Sequence, residues 1–513
     1  MMRIIGSFLN RLTMYRLTIY YLAALLYLAI ILSAFDIVPG GPIAILSTTG
    51  ILLAVCFLVN ALIARILRAR SNPESCLITA LILALIMGPV SALADPRRAV
   101  LLALAGAMAT ASKYVLSLRR QHLFNPAALG AFFSALLFGM NASWWVGNAA
   151  LLPLVAVGGL LLARKIGRLR LVGAFLGLFL AFDFGLALTQ GIAVADAFQS
   201  IAFVLERSSL IFFATVMFTE PMTSPKRFRL QLLYAAIVAF LYQPQLSLFG
   251  QNLTPEEALL AGNLFSFIVS PSFKLRLRLK ERREIGSGIM LFTFPRPAGF
   301  SHGLGQYMEW TLPVKKSDSR GARRYFSIAS SPTEPDLMIA ARFSPRASRY
   351  KEEMARMRSG DLITAGELGG DFVLPKNPAT PLAFVAGGIG ITPFRSMIKY
   401  LVDTGERRDV VLVYSSSAED EIIFRDVFEE ARCAVGLKAV YTLTDLSRIR
   451  PDWCGRRGPI DARLIREEVP AFRSRRFFVS GPPGMVNAMV RVLHAAGVPR
   501  RLVRTDSFLG YSS

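Results

Sequence analysis

Long apolar runs dominate the first half of the chain and restrict what it can fold into. Ten such runs occur before residue 270, most of them roughly 15 to 22 residues long, which suits helices that cross ~30 Å of hydrocarbon. We therefore predict a polytopic helical membrane domain. The predicted spans are Thr18–Phe35, Pro42–Ile63, Cys76–Leu93, Ala99–Ser112, Pro126–Met140, Ala149–Ala163, Leu171–Leu188, Ala197–Phe218, Leu230–Leu248 and Ala258–Val269.

Basic residues cluster in alternate loops between these runs. If the N-terminus is inside the cell, most of these basic residues lie on the inner side of the membrane. They are Arg65, Arg68, Arg70, Lys113, Arg119, Arg120, Arg164, Lys165, Arg168, Arg170, Lys226, Arg227 and Arg229. The exceptions are Arg97 and Arg98, with Arg207 ambiguous. Positive loops face the cytoplasm, and an even number of spans returns the chain to the same side. We predict a multi-pass protein in the lipid bilayer of a bacterial-type inner membrane, with both termini cytoplasmic.

The charge and the metal-ligating residues exclude several functions. The formal net charge is +23, but much of the excess lies in these loops and at residues 273–283, so we predict no nucleic-acid partner. The four cysteines form no C-x-x-C pair. Only three histidines occur, and only His122 lies near a predicted span, which argues against a haem held by two histidines in the bilayer. No metal site is predicted.

The pattern changes after Lys274, where short alternating strands and amphipathic helices replace the apolar runs. The stretch RRYFSIASSP, Arg323 to Pro332, carries a cation for a pyrophosphate, an aromatic ring to pack on a flavin, and a hydroxyl to donate near the flavin nitrogen that accepts hydride. Arg324, Phe326 or Tyr325, and Ser327 supply these groups in that order.

Glycines mark two further parts of a dinucleotide site. SGDLITAGELGGDFVLP, Ser359 to Pro375, places Gly370 and Phe372 where backbone could approach a phosphate. PLAFVAGGIGITPFRSMIKYLV is a buried-type strand, a glycine turn and a helix opening after Pro393. The strands VVLVYSSS and RRFFVSGPPGM follow, each leading into a helix, which predicts a doubly wound parallel sheet.

Together these motifs resemble the ferredoxin–NADP⁺ reductase superfamily over about residues 274–513. The resemblance implies a β-barrel FAD-binding domain over 273–378 and an α/β doubly wound NAD(P)-binding domain over 379–513, after a membrane domain over 1–272. It implies a nicotinamide-nucleotide loop at Gly387, Gly388, Gly390, Thr392 and Pro393. It also implies a second nucleotide segment at Gly481, Pro482, Pro483 and Met485, in which Ser480 replaces the usual cysteine.

The end of the chain, TDSFLGY, resembles the glutamate-x-phenylalanine ending of that superfamily. Asp506 stands for the glutamate, Phe508 is the aromatic residue, and Tyr511 would cover the flavin. The resemblance implies that Ser327, Ser480 and Asp506 act in catalysis, and that the other motif residues bind the cofactors.

The membrane half carries two motifs on its predicted inner side. QHLFNPAALGAFF, Gln121 to Phe133, and FTEPMTSPKRF, Phe218 to Phe228, resemble the D and B membrane subunits of the Rnf and Nqr ion-translocating electron-transfer complexes. Those subunits hold flavin mononucleotide esterified to a threonine. Here the corresponding loop is GMNASWWVGN, Gly139 to Asn148, without the S-G-A-T-like motif, so we predict that any FMN in this half is bound without a covalent bond. The simpler explanation is a helix start, with Asn125 as cap and Pro126 in the first turn.

The predicted function is a membrane-bound flavoprotein oxidoreductase that passes electrons from NAD(P)H through FAD to a quinone or another redox protein. Ion coupling is left open, and Asp183, Glu206 and Arg207 are the charged residues at or near membrane depth. Two alternatives also stay open: an NADH:quinone reductase without ion transport, and a transporter or anchor regulated by a nucleotide-binding domain. NADH is favoured because YSSSAEDEIIF, Tyr414 to Phe424, offers hydroxyls and acids where a 2′-phosphate needs cations.

Overall fold

A computed structural model describes residues 13–67, 73–118, 121–196, 209–244, 246–248, 251–270, 274–312, 322–344 and 347–507. The chain divides into two compact units, Met1–Ser272 and Phe273–Ser513. The first is mainly helical, and the second consists of three sheets with helices. Each is described separately below.

The helices of the first unit follow the apolar runs. In chain order they are α1 (Met14–Ser33), α2 (Gly41–Ile66), α3 (Pro73–Ile86), α4 (Pro96–Val115), α5 (Pro126–Phe138), α6 (Leu152–Lys165), α7 (Leu169–Thr189), α8 (Leu210–Phe212, continuing as a π-helix over Phe213–Met217), α9 (Phe228–Leu241) and α10 (Pro255–Val269). The unit also has two antiparallel pairs of short strands. β1 (Ser117–Leu118) pairs with β2 (Gln121–His122), and β3 (Ser247–Leu248) pairs with β4 (Gln251–Asn252).

Helix lengths limit how many of these segments cross a membrane unaided. Among the described helices, α1, α2 and α7 are long and apolar enough, at 20, 26 and 21 residues. α4 also has 20 residues but is less apolar, because Arg97, Arg98 and Lys113 lie within it. The remaining described helices are shorter; α3 has 14 residues, about 21 Å of helix, because it ends at Ile86 just before Gly88 and Pro89. The ten predicted spans therefore correspond in position to helices, but only three of the described helices are both long and apolar enough for a membrane span. Residues 197–208 of the predicted eighth span, with Glu206 and Arg207, lie outside the described residues.

Side-chain caps fix several of the helix starts, two of which lie near the predicted inner motifs or begin the last helix of this unit. Asn125 Oδ1 accepts hydrogen bonds from the backbone nitrogens of Ala127 and Ala128 at the start of α5. At the start of α10, Thr254 and Glu257 form a reciprocal capping box. The predicted role of Asn125 as a helix cap is thus what the structure shows.

The second unit begins with two antiparallel sheets. The chain forms β5 (Leu275–Arg278), β6 (Glu281–Gly286), β7 (Ile289–Pro295), β8 (Tyr307–Thr311), β9 (Arg323–Ser327), β10 (Asp336–Arg342), α11 (Arg349–Ala355) and β11 (Leu362–Gly369). One sheet has the order β10-β7-β6 and the other β5-β11-β8-β9. Buried residues of both sheets share one core that includes Phe292, Phe294, Met308 and Trp310.

The predicted β-barrel is not confirmed, because the described strands form no closed sheet. β5 and β9 are the edges of one sheet, and β6 and β10 are the edges of the other. No ladder of hydrogen bonds joins these edges within the described residues. The two sheets are held instead by side chains packed between them, as in a sandwich.

The second half of this unit is a six-stranded parallel sheet. Its elements are β12 (Leu382–Gly387), α12 (Thr392–Thr404), β13 (Val410–Ser416), α13 (Arg425–Val435), β14 (Lys438–Leu443), β15 (Arg456–Arg457), α14 (Ala462–Glu468), β16 (Arg476–Gly481), α15 (Pro483–Ala495) and β17 (Val503–Ser507). The order is β15-β14-β13-β12-β16-β17, all parallel. The chain moves outward from β12 and then returns to its other side, so the order reverses between β12 and β16. Ligands of doubly wound sheets bind outside the carboxyl ends of the strands at such a point.

Candidate active site

The predicted flavin motif lies on β9, and its residues divide between the two faces of that strand. Arg324 and Phe326 lie opposite Trp310 and Met308 of β8, on the core side. The guanidinium of Arg324 lies over the ring of Tyr350, 4.9 Å from its centroid, and the ring centroids of Phe326 and Tyr350 are 6.2 Å apart. Tyr350 is in the first turn of α11, so Arg324 lies near the amide end of a helix, where negative charge is favoured.

Tyr325 and Ser327 occupy the opposite face of β9. The Tyr325 hydroxyl is 3.0 Å from a carboxylate oxygen of Glu367 and 3.2 Å from one of Glu309. Burial raises the pKa of Glu309, while Arg323, 3.4 Å away, opposes that rise. The side chain of Ser327 is buried, and its Oγ has no hydrogen-bond partner among the described residues. An unpaired buried hydroxyl is costly, so Ser327 suits a position where a ligand supplies the partner.

The glycine loop after β12 lies at the reversal point of the parallel sheet. A Cβ at Gly387 would come within 2.7 Å of Met485 Sδ, and one at Gly390 within 2.4 Å of the Ser480 carbonyl oxygen. Gly388 has a φ of +53° with open space beside it. Only glycine permits this close packing, which brings the loop against Gly481 at the end of β16.

Helices start at both loops, and their positions match a nucleotide site. Thr392 is the first residue of α12, which begins before Pro393 and not after it as predicted, and Thr392 Oγ1 donates to the Ile389 carbonyl oxygen at 3.2 Å. Pro393 occupies the first turn of α12, and Pro482 caps α15, which begins at Pro483. The starts of the two helices and the glycine backbone thus lie beside one another, and the amide ends of helices favour negative charge.

Ser480 and Asp506 are neighbours on adjacent parallel strands at this same edge of the sheet. They are paired in the register of β16 and β17. Ser480 is fully buried, and both Ser480 Oγ and Asp506 Oδ2 lack hydrogen-bond partners within the described residues. Burial, reinforced by the charge of Asp371, raises the pKa of Asp506 to about 6.

Two side chains of α12 join the nucleotide loop to the end of the flavin strand. Ser396 Oγ donates to the Ser330 carbonyl oxygen at 2.7 Å, and Arg395 Nη1 donates to the Ala329 carbonyl oxygen at 3.2 Å. Ser327 is three residues from Ser330, which is at most about 10 Å of chain. The two motifs therefore lie close together in the fold.

A buried ion pair strengthens this junction. Arg395 Nη2 donates a hydrogen bond to Glu334 Oε1 at 2.8 Å, and Arg395 Nη1 pairs with Glu334 Oε2. Glu334 also accepts a hydrogen bond from the backbone N–H of Ser331. Sequence reasoning missed Arg395, Glu334 and Tyr350. Arg395 and Glu334 are 61 residues apart, and neither lies in a recognisable motif pattern.

The remaining predicted site residues differ in how the structure places them. Gly370 has a φ of +113° and lies against the Tyr307 ring. Phe372 packs in the core of the parallel half, with its ring centroid 5.6 Å from that of Phe394 and 5.1 Å from that of Phe478. Phe508 and Tyr511 lie outside the described residues.

The two motifs of the helical unit, distant in sequence, meet in space. Asn125 Nδ2 donates a hydrogen bond to Glu220 Oε2 at 2.8 Å. The backbone N–H of Asn125 donates a second one to Asn263 Oδ1, also at 2.8 Å. Asn263 Nδ2 in turn donates to the Thr223 carbonyl oxygen at 3.3 Å. The loop of Glu220 follows the π-helix Phe213–Met217, a rare geometry that is frequent at functional sites.

The fold and the site of the second unit define a dinucleotide-dependent flavoprotein oxidoreductase. Residues 384–491 match the family model described as the oxidoreductase NAD-binding domain. The chain is 26% identical over 243 residues to NADH-cytochrome b5 reductase 1 of Aspergillus terreus, covering 45% of this chain and 80% of that protein. It is 29% identical over 240 residues to ferredoxin–NADP reductase B of Sorangium cellulosum, covering 45% of this chain and 96% of that protein.

A third relative is the glycine betaine monooxygenase reductase subunit of Pseudomonas aeruginosa. The identity is 25% over 220 residues, covering 42% of this chain, and the chain spans only 59% of the length of that subunit. The C-terminal half is therefore ferredoxin–NADP reductase-like, and the chain is an FAD-dependent NAD(P)H oxidoreductase with FAD and NAD(P) as its cofactors.

Proposed function

We propose that the chain is a membrane-bound oxidoreductase that takes electrons from NAD(P)H through FAD and passes them to an acceptor in or at its helical half. One observation carries the redox part. Ser327, Ser480 and Asp506, the three predicted catalytic residues, each keep a buried polar atom without a partner among the described residues. Cofactors would supply the missing partners, because a polar group left unpaired in a protein interior is destabilising.

The residues of β9 and α11 would hold FAD. Arg324, whose guanidinium lies over the Tyr350 ring of α11, would bind its pyrophosphate, since an arginine–phosphate contact is charge-assisted. Phe326 or Tyr325 would pack on the ring, and Ser327 Oγ would donate to it. Bound FAD would supply the ability to accept two electrons together and release them singly.

The glycine loop and Ser480 would position the nicotinamide nucleotide. Gly387, Gly388 and Gly390 would let the backbone approach the pyrophosphate, with the start of α12 facing its charge. Pro482, Pro483 and Met485 shape the second wall. Ser480 and Asp506 would orient the reacting ring and hold a proton beside it.

We propose NADH as the preferred donor, because the nearest candidate cations for a 2′-phosphate already have acidic partners. Arg425 lies 3.4 Å from Glu419 and over the ring of Tyr441, and Lys438 lies 3.0 Å from Glu468. The expected kcat/KM with NADH exceeds that with NADPH, measured by steady-state rates with a soluble dye acceptor. A higher kcat/KM with NADPH would overturn the preference.

A membrane location is supported by the surface of the helical unit. Of the exposed large apolar side chains among the described residues, all but Tyr325, Leu362, Val373 and Leu446 belong to this unit. Apolar surface of this extent is stable against lipid, and three of the described helices are both long and apolar enough to span a membrane. The distribution of basic loops in the sequence supports the proposal that both termini are on the cytoplasmic side of a bacterial-type inner membrane.

We place the electron-accepting region of the helical unit where Asn125 and Glu220 meet, as the Rnf and Nqr resemblance suggests. If FMN binds there, it binds without a covalent bond, because Gly139 to Asn148 carries no S-G-A-T-like motif. A fluorescent band on the intact chain in a denaturing gel would contradict this. The acceptor would be FMN, a quinone or another redox protein.

Substitution of Asp183, which is buried in α7, distinguishes two forms of this function. A quinone reductase without ion transport is not expected to need its carboxylate, and an ion-coupled enzyme is. Asp183→Asn would leave both flavin reduction and quinone reduction intact in the first case, and would block acceptor turnover alone in the second. A transporter merely regulated by nucleotide would show no acceptor turnover in any variant.

Adjacent arginines give a matched test of the FAD site. Arg324→Ala is expected to weaken FAD binding at least tenfold, because a charge-assisted contact contributes about 1.5–3 kcal/mol. Arg323→Ala removes an equal charge from the other face of the strand, where Arg323 pairs with Glu309, and should leave the affinity nearly unchanged. FAD titration after flavin removal measures both. Equal affinities of wild type and Arg324→Ala would exclude Arg324 from the site.

A further inference from the structure

The start of the second unit presents a basic strand at the edge of a sheet. Between residues 274 and 283 the chain carries Lys274, Arg276, Arg278, Lys280, Arg282 and Arg283 against the single acid Glu281. Arg276 and Arg278 are exposed, and neither forms an ion pair with any described residue; Arg278 Nη1 donates a hydrogen bond only to the Gly360 carbonyl oxygen, at 3.4 Å. Exposed arginines without an acidic partner are available to bind an anionic partner.

The register of the four-stranded sheet shows which side chains share the face with these arginines. Arg278 lies opposite Leu362, and Arg276 lies opposite Thr364, on β11. Directly opposed residues of antiparallel strands lie on the same face. Leu362 is 39% exposed and is one of only four exposed large apolar side chains of this unit among the described residues. We call Arg276, Arg278 and Leu362 the basic patch.

Protection of the sheet edge does not by itself explain the patch. Charged residues on an edge strand prevent pairing with other strands. Such protection requires no exposed leucine beside the arginines. An apolar side chain flanked by arginines is instead the arrangement that enters the boundary between lipid headgroups and acyl chains.

We propose that the basic patch binds the anionic headgroup surface of a lipid bilayer. The charge is complementary to acidic headgroups, which attract nearby arginine and lysine residues. Leu362 supplies an apolar contact between them. Chain continuity supports the same partner, because only residues 270–274 separate the end of the apolar helix α10 from β5. The inference rests on the proposed membrane location of the helical unit.

The patch is separate from the proposed flavin strand. In the order β5-β11-β8-β9, β9 lies three strands away from β5, about 14 Å at ~4.8 Å per strand. Substitutions at the basic patch therefore should not change FAD content or the rate of flavin reduction by NADH. Both quantities serve as controls for folding.

The test uses the full chain in nanodiscs of phosphatidylcholine alone or with about one lipid in three replaced by phosphatidylglycerol. Hydrogen exchange of backbone amides in β5 and β11 is expected to slow roughly tenfold in the anionic discs. The double variant Arg276→Gln/Arg278→Gln should lose this protection. The variant Arg466→Gln/Arg491→Gln removes the same charge from exposed residues of α14 and α15 and should retain it.

Equal exchange in both kinds of disc, with normal flavin reduction, would overturn the inference and leave the proposed function intact. Protection that arises only when an acidic soluble protein is added would also overturn it, because the partner would then be a protein. A chain that remains soluble without lipid or detergent would contradict the proposed membrane location itself.

Discussion

Three buried polar atoms separate the functional interpretation of this site from a purely structural one. Ser327 Oγ, Ser480 Oγ and Asp506 Oδ2 lack partners within the described residues, although a folded chain gains by pairing such atoms. Residues kept only for packing would be replaced by apolar ones at little cost. Their polar character is explained if cofactors complete the hydrogen bonds.

Ser327→Ala and Ser480→Ala test this difference directly. Removing a hydroxyl that has no partner is expected to leave the thermal stability of the cofactor-free chain unchanged or to raise it by up to about 1 kcal/mol. The rate of flavin reduction by NADH should nevertheless fall. Thermal unfolding and anaerobic stopped-flow absorbance measure the two effects. A loss of stability with an unchanged rate would assign the serines a structural role.

The raised pKa of Asp506 predicts a pH dependence. A carboxyl with a folded-state pKa of about 6, against about 3.9 when unfolded, binds its proton more tightly in the folded chain. The contribution of Asp506 to the free energy of unfolding is therefore fully present below about pH 4 and is lost as the pH rises to about 6.

Asp506→Asn should abolish this loss and stabilise the chain by about 2–3 kcal/mol at neutral pH. The pH profile of flavin reduction by NADH should also lose an inflection near pH 6. Thermal midpoints and reduction rates across this pH range test both statements for the variant and wild type. An identical inflection in both proteins would assign the titration to another group.

At the scale of elements, α12 connects the two motifs. Its start forms the nucleotide loop, and its first turns bond to the segment that follows the flavin strand. The buried ion pair of Arg395 with Glu334 holds this contact, and the cost of removing one partner from such a pair exceeds the net gain from the pair. α12 thereby links the nucleotide loop to the segment that follows the proposed flavin strand.

Arg395→Ala is expected to destabilise the C-terminal unit by about 3–5 kcal/mol, because Glu334 would be left buried and unpaired. The double variant Arg395→Met/Glu334→Leu should recover most of this loss. Its FAD content should be normal, but flavin reduction by NADH should be slower than in wild type, because the bond to Ala329 is lost as well. Recovery of stability and rate together would show that the pair has no positioning role.

Sequence patterns predicted the elements better than their assembly. The buried run of β12, the glycine loop and the helix that follows it are predicted from local chemistry, and each is present, although α12 begins at Thr392 and not after Pro393. The closed barrel is not confirmed among the described residues, because closure depends on how strand edges meet, which no strand pattern specifies. The contact of Arg395 with Glu334 and the contact of Asn125 with Glu220 join residues 61 and 95 positions apart, so neither could be predicted from local spacing.

At the scale of the whole molecule, two units of different chemistry share one chain. The helical unit exposes most of the apolar side chains, and the C-terminal unit carries the redox motifs and the matches to known reductases. The Rnf and Nqr resemblance of the helical unit stays a prediction. If it is correct, the electron acceptor lies in or at the helical unit. The C-terminal unit alone does not indicate an acceptor.

Anaerobic absorbance of the purified full chain tests the central claim most directly. We predict a yellow protein whose visible flavin band bleaches in proportion to added NADH, with one NADH consumed per FAD. Arg324→Ala should lose the colour during purification, and Arg323→Ala should keep it. A wild-type chain that binds no FAD, or whose flavin band is unchanged by NADH and NADPH, would contradict the account.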